Sequence, residues 1–233
     1  MNYENFIENL KKMYDIVGVL ADKNDCKTLR LRHKKIEKDL VLHRLPKNIA
    51  AYESLSKIEC ENLPVIYDVI DLDDFRIVLE EFISGITVAD VMETGRYTYH
   101  GAKKVIQGVC NALSVLHSRN IVHRDIKPEN IMVDSSGRVV LIDFNASRTI
   151  TPDSKDTVVM GTVGYASPEQ IGIAQSDSRT DIYAIGVLLN VMMTGKHPSE
   201  LIAKGKAGRI VRKCTNVNPN DRYQTVEKLS GAL

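Results

Sequence analysis

The chain has 233 residues, 43% hydrophobic and 26% charged, with a formal net charge of +1. Such a chain can bury a sizeable core, which excludes disordered and collagen-like proteins. Near-zero net charge gives no electrostatic case for nucleic acid or a membrane surface as partner.

The opening stretch MNYENFIENLKKM is too polar and acidic for the apolar core of a secretory signal. LRLR (29–32) and DLVLH (39–43) alternate apolar and polar residues around the charged HKKIEK, which predicts a hairpin. VIYDVI (65–70) and FRIVLEEF (75–82), joined by DLDD, predict a second hairpin. Between the two, NIAAYESLSKI (48–58) predicts a short helix. After ISG (83–85) the pattern changes. Ala102, Val105, Ile106, Val109, Ala112, Leu113 and Leu116 follow the i, i+3, i+4 spacing of an amphipathic helix over 99–118. NIMVD and RVVLID flank SSG as a third hairpin, and helical patterns return at 179–194 and from about Gln224. The apolar run at 182–193 is too short to span a bilayer and contains Asn190, so it predicts a buried helix.

These elements predict an α+β chain of two lobes: a small antiparallel-sheet lobe over 1–82, a connection at 83–85 and a mainly helical lobe over 86–233. Cys26, Cys60, Cys110 and Cys214 have no CxxC spacing, and the six histidines form no ligand-spaced pair. Reduced thiols in a cytoplasmic protein without a structural metal are therefore expected.

Residues 123–145 read HRDIKPENIMVDSSGRVVLIDFN. Asp125, Lys127, Asn130 and Asp143 fall on loops and strand ends rather than on one periodic face. Solvated turn residues would account for any one of them. They do not account for the interleaved Ile126, Ile131, Met132 and Val133, which would hold the polar groups rigidly.

At this point the chain closely resembles the protein kinases. VHRDIKPEN (122–130) is similar to their catalytic loop, and IDFN (142–145) to their metal-binding DFG in all but the last residue. GTVGYASPEQ (161–170) resembles the end of the activation segment, and DIYAIGVLL (181–189) the buried helix after it. The resemblance runs from about Tyr14 to Leu233 and implies a single kinase domain over 1–233. It implies that Asp125 positions the substrate hydroxyl and accepts its proton, and that Lys127 neutralises the moving phosphate. Asn130 and Asp143 would hold Mg2+ or Mn2+, with ATP as the phosphate donor. Glu169 would pair with Arg222, and Asp181 would accept hydrogen bonds from the catalytic-loop backbone. His123, Phe144, Leu55 and Ile66 would stack between the lobes. Asn145 would tolerate the left-handed backbone of the glycine it replaces.

Lys127, Pro128 and Thr162 resemble the serine/threonine class, in a compact, bacterial form with a degenerate first lobe. The partners implied are protein substrates with Ser/Thr hydroxyls, and the chain itself through autophosphorylation. Arg124 would receive a phosphorylated activation loop, with Thr151, Ser154 and foremost Thr157 as the acceptors.

The first lobe departs from the pattern. Ala21, Lys23 and Cys26 stand where kinases carry three glycines, and His43 stands where they carry a strand lysine. Val41 and His43 alternate onto the face that would look at the nucleotide, and Glu81, Ile83 and Lys23 complete the implied nucleotide contacts. Lys23 or Lys27 would replace the missing cation. Glu53, two residues beyond the ungapped position Ala51, is the candidate helix glutamate, or else a solvated surface residue. Glu80 falls at the back of the implied adenine pocket. A pseudokinase acting as a regulatory or interaction module is the alternative. A small-molecule phosphotransferase is more remote, because the GTVGYASPEQ segment is the kind that docks a peptide.

Overall fold

The computed structural model describes residues 3–23, 25–47, 51–150, 162, 164–171 and 176–233. The chain divides into two units, Met1–Cys60 with Pro64–Ile83, and Glu61–Leu63 with Ser84–Leu233.

The first unit runs α1 (Tyr3–Leu10), β1 (Tyr14–Lys23), β2 (Cys26–His33), β3 (Asp39–Pro46), α2 (Ala51–Leu55), β4 (Ile66–Asp71) and β5 (Phe75–Glu81). The strands form one antiparallel sheet in the order β1-β2-β3-β5-β4. Strand alternation gives it two unlike faces. Leu29, Leu31, Leu40, Leu42 and Ile77 bury one face against Phe6 and Leu10 of α1. Thr28, Val41, His43, Val78 and Glu80 occupy the other, with His43 opposite both Thr28 and Val78, and Val41 opposite Glu80.

Sequence patterning foresees both hairpins, β2–β3 and β4–β5. It misses α1, which is only two turns long, and it overextends α2, which covers Ala51–Leu55. The stretch compared with a glycine-rich loop is an ordinary hairpin: Ala21 pairs with Thr28 and Lys23 with Cys26, and Asp25 takes a left-handed φ of 62° at the turn.

The second unit contains β6 (Gly85–Thr87), α3 (Val88–Thr94), α4 (Tyr99–His117), β7 (Ile121–Val122), β8 (Ile131–Asp134), β9 (Val139–Leu141), β10 (Arg148–Thr149), α5 (Pro168–Ile171), α6 (Ser178–Thr194), α7 (Gly205–Cys214) and α8 (Val226–Ala232). β6, β8 and β9 form one small sheet, and β7 with β10 another. Thr98 caps α4, whose apolar stripe, from Ala102 to Leu116, is buried. Gly108 lets α4 approach β9, since a Cβ there would stand 2.6 Å from the Cβ of Val139. Gly186 does the same between α6 and α7, where the added carbon would lie 2.4 Å from the Cβ of Cys214. Asp177 caps α6 in a reciprocal capping box with Thr180. Glu61–Leu63 join this unit through β9: Asn62 donates to Val139 O at 2.7 Å and accepts from Leu141 N–H at 3.0 Å.

The fold is thus the mixed α+β architecture read from the sequence, with a five-stranded antiparallel sheet in the first unit and mostly helices in the second. Among the described residues no helix is long and apolar enough to cross a membrane.

Candidate active site

The polar cluster of the second unit is built where β7 leads through residues 123–130 into β8. Asp181, fully buried on the first turn of α6, anchors this loop. Its Oδ2 accepts from His123 N–H at 3.0 Å and Oδ1 from Arg124 N–H at 2.8 Å. His117, in the last turn of α4, approaches the same Oδ2 through Nε2 at 2.8 Å. Burial would raise the Asp181 carboxyl, but the His117 contact and the loop amides outweigh it and hold the group below the usual carboxylate range.

His123 is packed and held neutral, because burial pushes its imidazole down. Nδ1 accepts from Asp125 N–H at 3.3 Å, which leaves Nε2 as the donor to Ile142 O, also at 3.3 Å. Its ring meets Phe144 edge-on at 5.2 Å. Leu55 and Ile66 are buried in the first unit.

Asp125 is held by three side chains. Lys127 Nζ donates to Oδ2 at 2.7 Å, and Thr162 Oγ1 donates to Oδ1 at 2.7 Å. Asn130 Nδ2 donates to both Oδ2 and the backbone oxygen of Asp125, each at 2.9 Å. Lys127 also reaches Thr162 Oγ1 at 2.9 Å, so the lysine, the threonine and the carboxylate form a closed ring of contacts. Burial raises the Asp125 carboxyl, yet the bonds from Lys127 and Thr162 prevail and hold it below its ordinary value. The group is therefore an anion at neutral pH, able to accept a proton.

Asn130 sits at the end of a 3₁₀ turn, Pro128–Asn130, and its backbone oxygen accepts from Ile142 N–H at 2.9 Å. This bond ties Asn130 to the residue before Asp143. With Nδ2 engaged by Asp125, the amide of Asn130 has its carbonyl oxygen left as a ligand. Asp143 takes a left-handed φ of 64°, and its Oδ1 accepts from Asn145 N–H at 3.2 Å. One carboxylate and one amide oxygen are hard donors that fit Mg2+ or Mn2+, a metal that keeps water and phosphate oxygens as its other ligands. No group of three or more His, Cys, Asp or Glu among the described residues forms an all-protein metal cage.

Asn145 corrects an expectation. Its own φ is not positive; the left-handed residues near the motif are Arg124, at 66°, and Asp143. An asparagine at this position therefore carries no left-handed strain, and its buried Oδ1 has no hydrogen-bond partner among the described residues.

Arg124 is buried, and its Nε donates to Ala146 O at 2.8 Å. Glu169 and Arg222 form a buried two-pronged ion pair, Nη1–Oε1 at 2.6 Å and Nη2–Oε2 at 2.8 Å. Burial raises the Glu169 carboxyl, but Arg222 outweighs it and holds the group low. Thr151, Ser154 and Thr157 lie outside the described residues.

The implied nucleotide contacts all belong to the first unit. Val41, His43 and Ile83 are buried, and Glu81 is half-buried with its Oε2 accepting from Val65 N–H at 3.2 Å. Lys23 ends β1, and its side chain lies outside the description. Lys27, the other proposed cation, reaches Asp22 Oδ2 at 2.8 Å.

His43 is not open on the sheet face but turned into it. Its Nδ1 lies 3.1 Å from Thr28 Oγ1, and its Nε2 lies 2.8 Å from Glu80 Oε1, an ion-pair distance without the geometry of a linear hydrogen bond. Glu80 Oε2 is buried with no hydrogen-bond partner among the described residues. Glu53 does not face His43. It accepts from Arg76 Nη2 at 2.6 Å, so the acid of α2 is tied to β5, while Ala51 is buried.

Sequence reasoning missed His117 and Gln170. His117 was legible as the polar residue closing an amphipathic helix just before the motif, whereas nothing local marks Gln170.

Comparison with known proteins matches the model of the protein kinase domain over residues 22–232. A probable serine/threonine-protein kinase of Clostridium perfringens is 30% identical over 219 residues, covering 83% of this chain and 32% of the relative. The serine/threonine-protein kinase PrkC of Bacillus subtilis is 29% identical over 210 residues, covering 78% and 32%. PknB of Mycobacterium tuberculosis is 38% identical over 127 residues, covering 52% and 20%. The chain spans about a third of the length of the first two of these relatives. The motif series, the α+β fold and the match over nearly the whole chain agree: this chain belongs to the protein kinase domain family, among relatives of the serine/threonine class.

Proposed function

We propose that the chain is a serine/threonine protein kinase that transfers the ATP γ-phosphate to protein hydroxyls, its own included. One observation carries this reading: an anionic Asp125 held by Lys127, Thr162 and Asn130, next in structure to a hard-oxygen pair, Asn130 and Asp143. In the reaction the acceptor hydroxyl oxygen forms a bond to the γ-phosphorus as the bond to the ADP oxygen breaks. Asp125 orients that hydroxyl and takes its proton. Lys127 offsets charge on the transferring group, and Thr162 keeps both side chains in place. Asn130 and Asp143 would hold a metal that would supply charge neutralisation at the phosphates. The cytoplasmic setting is part of this proposal and rests on four cysteine thiols with no disulfide among the described residues.

A second reading, a regulatory pseudokinase, is favoured by one observation: His43, at the usual lysine position, is buried against Glu80. Thermal unfolding separates the two. A functional site links nucleotide to metal, so ATP with Mg2+ raises the unfolding temperature well beyond ATP alone, and Asp143→Asn abolishes the difference. Equal, negligible shifts for wild type with and without Mg2+ would favour the pseudokinase.

A further inference from the structure

Gln170 lies on α5, one residue after Glu169, and is buried at 5% exposure, yet the reaction as described leaves it without a part. Its Nε2 donates to the backbone oxygen of Arg124 at 2.9 Å. Its Oε1 accepts from Ser167 N–H at 2.9 Å and lies 3.3 Å from Ser167 Oγ. A single amide thus spans two backbone segments, the loop that carries Asp125 and the segment that follows Thr162.

The place it grips is one of the left-handed positions. Arg124 holds a φ of 66°, a left-handed conformation that a non-glycine residue keeps only where the surroundings enforce it. Three elements enforce it. Asp181 on α6 holds the N–H of Arg124, Ala146 takes its Nε, and Gln170 holds its carbonyl oxygen. That carbonyl belongs to the peptide unit leading into Asp125, so its direction sets where the Asp125 backbone, and then its carboxylate, points. Without Gln170 this peptide unit keeps only the 3.3 Å bond from its Asp125 N–H to His123 Nδ1, while the N–H side of Arg124 stays anchored by Asp181.

We infer that Gln170 is a positioning residue for the transfer reaction, fixing the Arg124–Asp125 peptide and coupling it to the segment that begins at Thr162. This rests on the kinase reading for its catalytic consequence, but its structural half can be read without activity. The glutamine supplies both a donor and an acceptor, and these can be removed separately. Gln170→Glu keeps an acceptor for Ser167 N–H and places an oxygen against the Arg124 carbonyl in place of the donor. Gln170→Met removes both and fills a similar volume.

The experiment combines hydrogen exchange with steady-state transfer for the full chain and both variants. In both variants amides of residues 121–127 should exchange faster, while α6 and α8 stay protected as in wild type. The kcat should fall about 10- to 100-fold with KM for ATP unchanged, because a misplaced base loses alignment rather than binding. Wild-type exchange over 121–127 in both variants, or unchanged kcat in an active wild type, would overturn the inference. Loss of protection throughout the second unit would also overturn it, by making Gln170 a residue of general stability. A wild type with no transfer but with the local exchange effect would sink the kinase reading and leave the positioning contact standing.

Discussion

Asp181 and Glu169 show how single carboxylates organise the second unit. Both are buried, and both are held below the ordinary carboxylate range of about 4 because their hydrogen-bonded partners outweigh desolvation. A carboxyl depressed in the folded state binds its proton more readily when unfolded, so its contribution to stability is complete above the unfolded value. That contribution is lost as pH falls through the folded value. The urea midpoint should therefore begin to fall below about pH 6.5, where the unfolded His123 takes up a proton that its buried, folded form resists, and drop more steeply below about pH 4 as the two carboxylates follow. A midpoint that rises on acidification to about pH 3 would refute this linkage. At this scale the motif residues were legible because charged and apolar side chains alternate in a pattern no periodic face produces. The left-handed residues were not: strain falls on Arg124 and Asp143, set by loop closure, and not on Asn145, where replacement of a glycine pointed.

Among the elements, β3 and β5 carry the departure from other kinases. Register places Glu80 opposite Val41, one diagonal step from His43, and brings the two side chains to 2.8 Å in the sheet. Removing one member of a buried polar pair leaves the other desolvated without its partner, whereas replacing both with apolar groups is often nearly neutral. His43→Leu should therefore cost about 1–3 kcal/mol of unfolding free energy, and His43→Leu with Glu80→Leu should recover most of it. Additive losses in the double variant would show that the two residues do not act as a pair. The two hairpins were legible from strand alternation, but this contact comes from the pairing of β3 with β5 between them, joins residues 37 positions apart and depends on a register the chain pattern does not state. Among the helices, α4 and α6 announce themselves by long apolar stripes. By contrast, α3 spans only seven residues, and α7 is rich in lysine and arginine with no side-chain cap, which hides the spacing of Ala207, Ile210, Val211 and Cys214.

Across the molecule, the two units carry the two halves of the proposed reading separately. The second holds the Asp125, Lys127, Asn130 and Asp143 cluster that the proposed function rests on, and the first holds a sheet in which His43 is buried against Glu80. The α+β class and the family were legible from motif order alone; the state of β3 was legible only as a missing lysine, since the contacts of His43 come from strand pairing. The account turns on whether the second unit's cluster works in spite of that loss. The most direct measurement is transfer of labelled γ-phosphate from Mg-ATP or Mn-ATP to the chain itself and to a basic protein acceptor. Wild type, Asp125→Asn and His43→Lys are compared, with folding of each checked by circular dichroism. The account predicts transfer by wild type that falls by about 10²- to 10⁴-fold in Asp125→Asn, the range lost with a general base. No label above background in wild type and in His43→Lys, both folded, would contradict it.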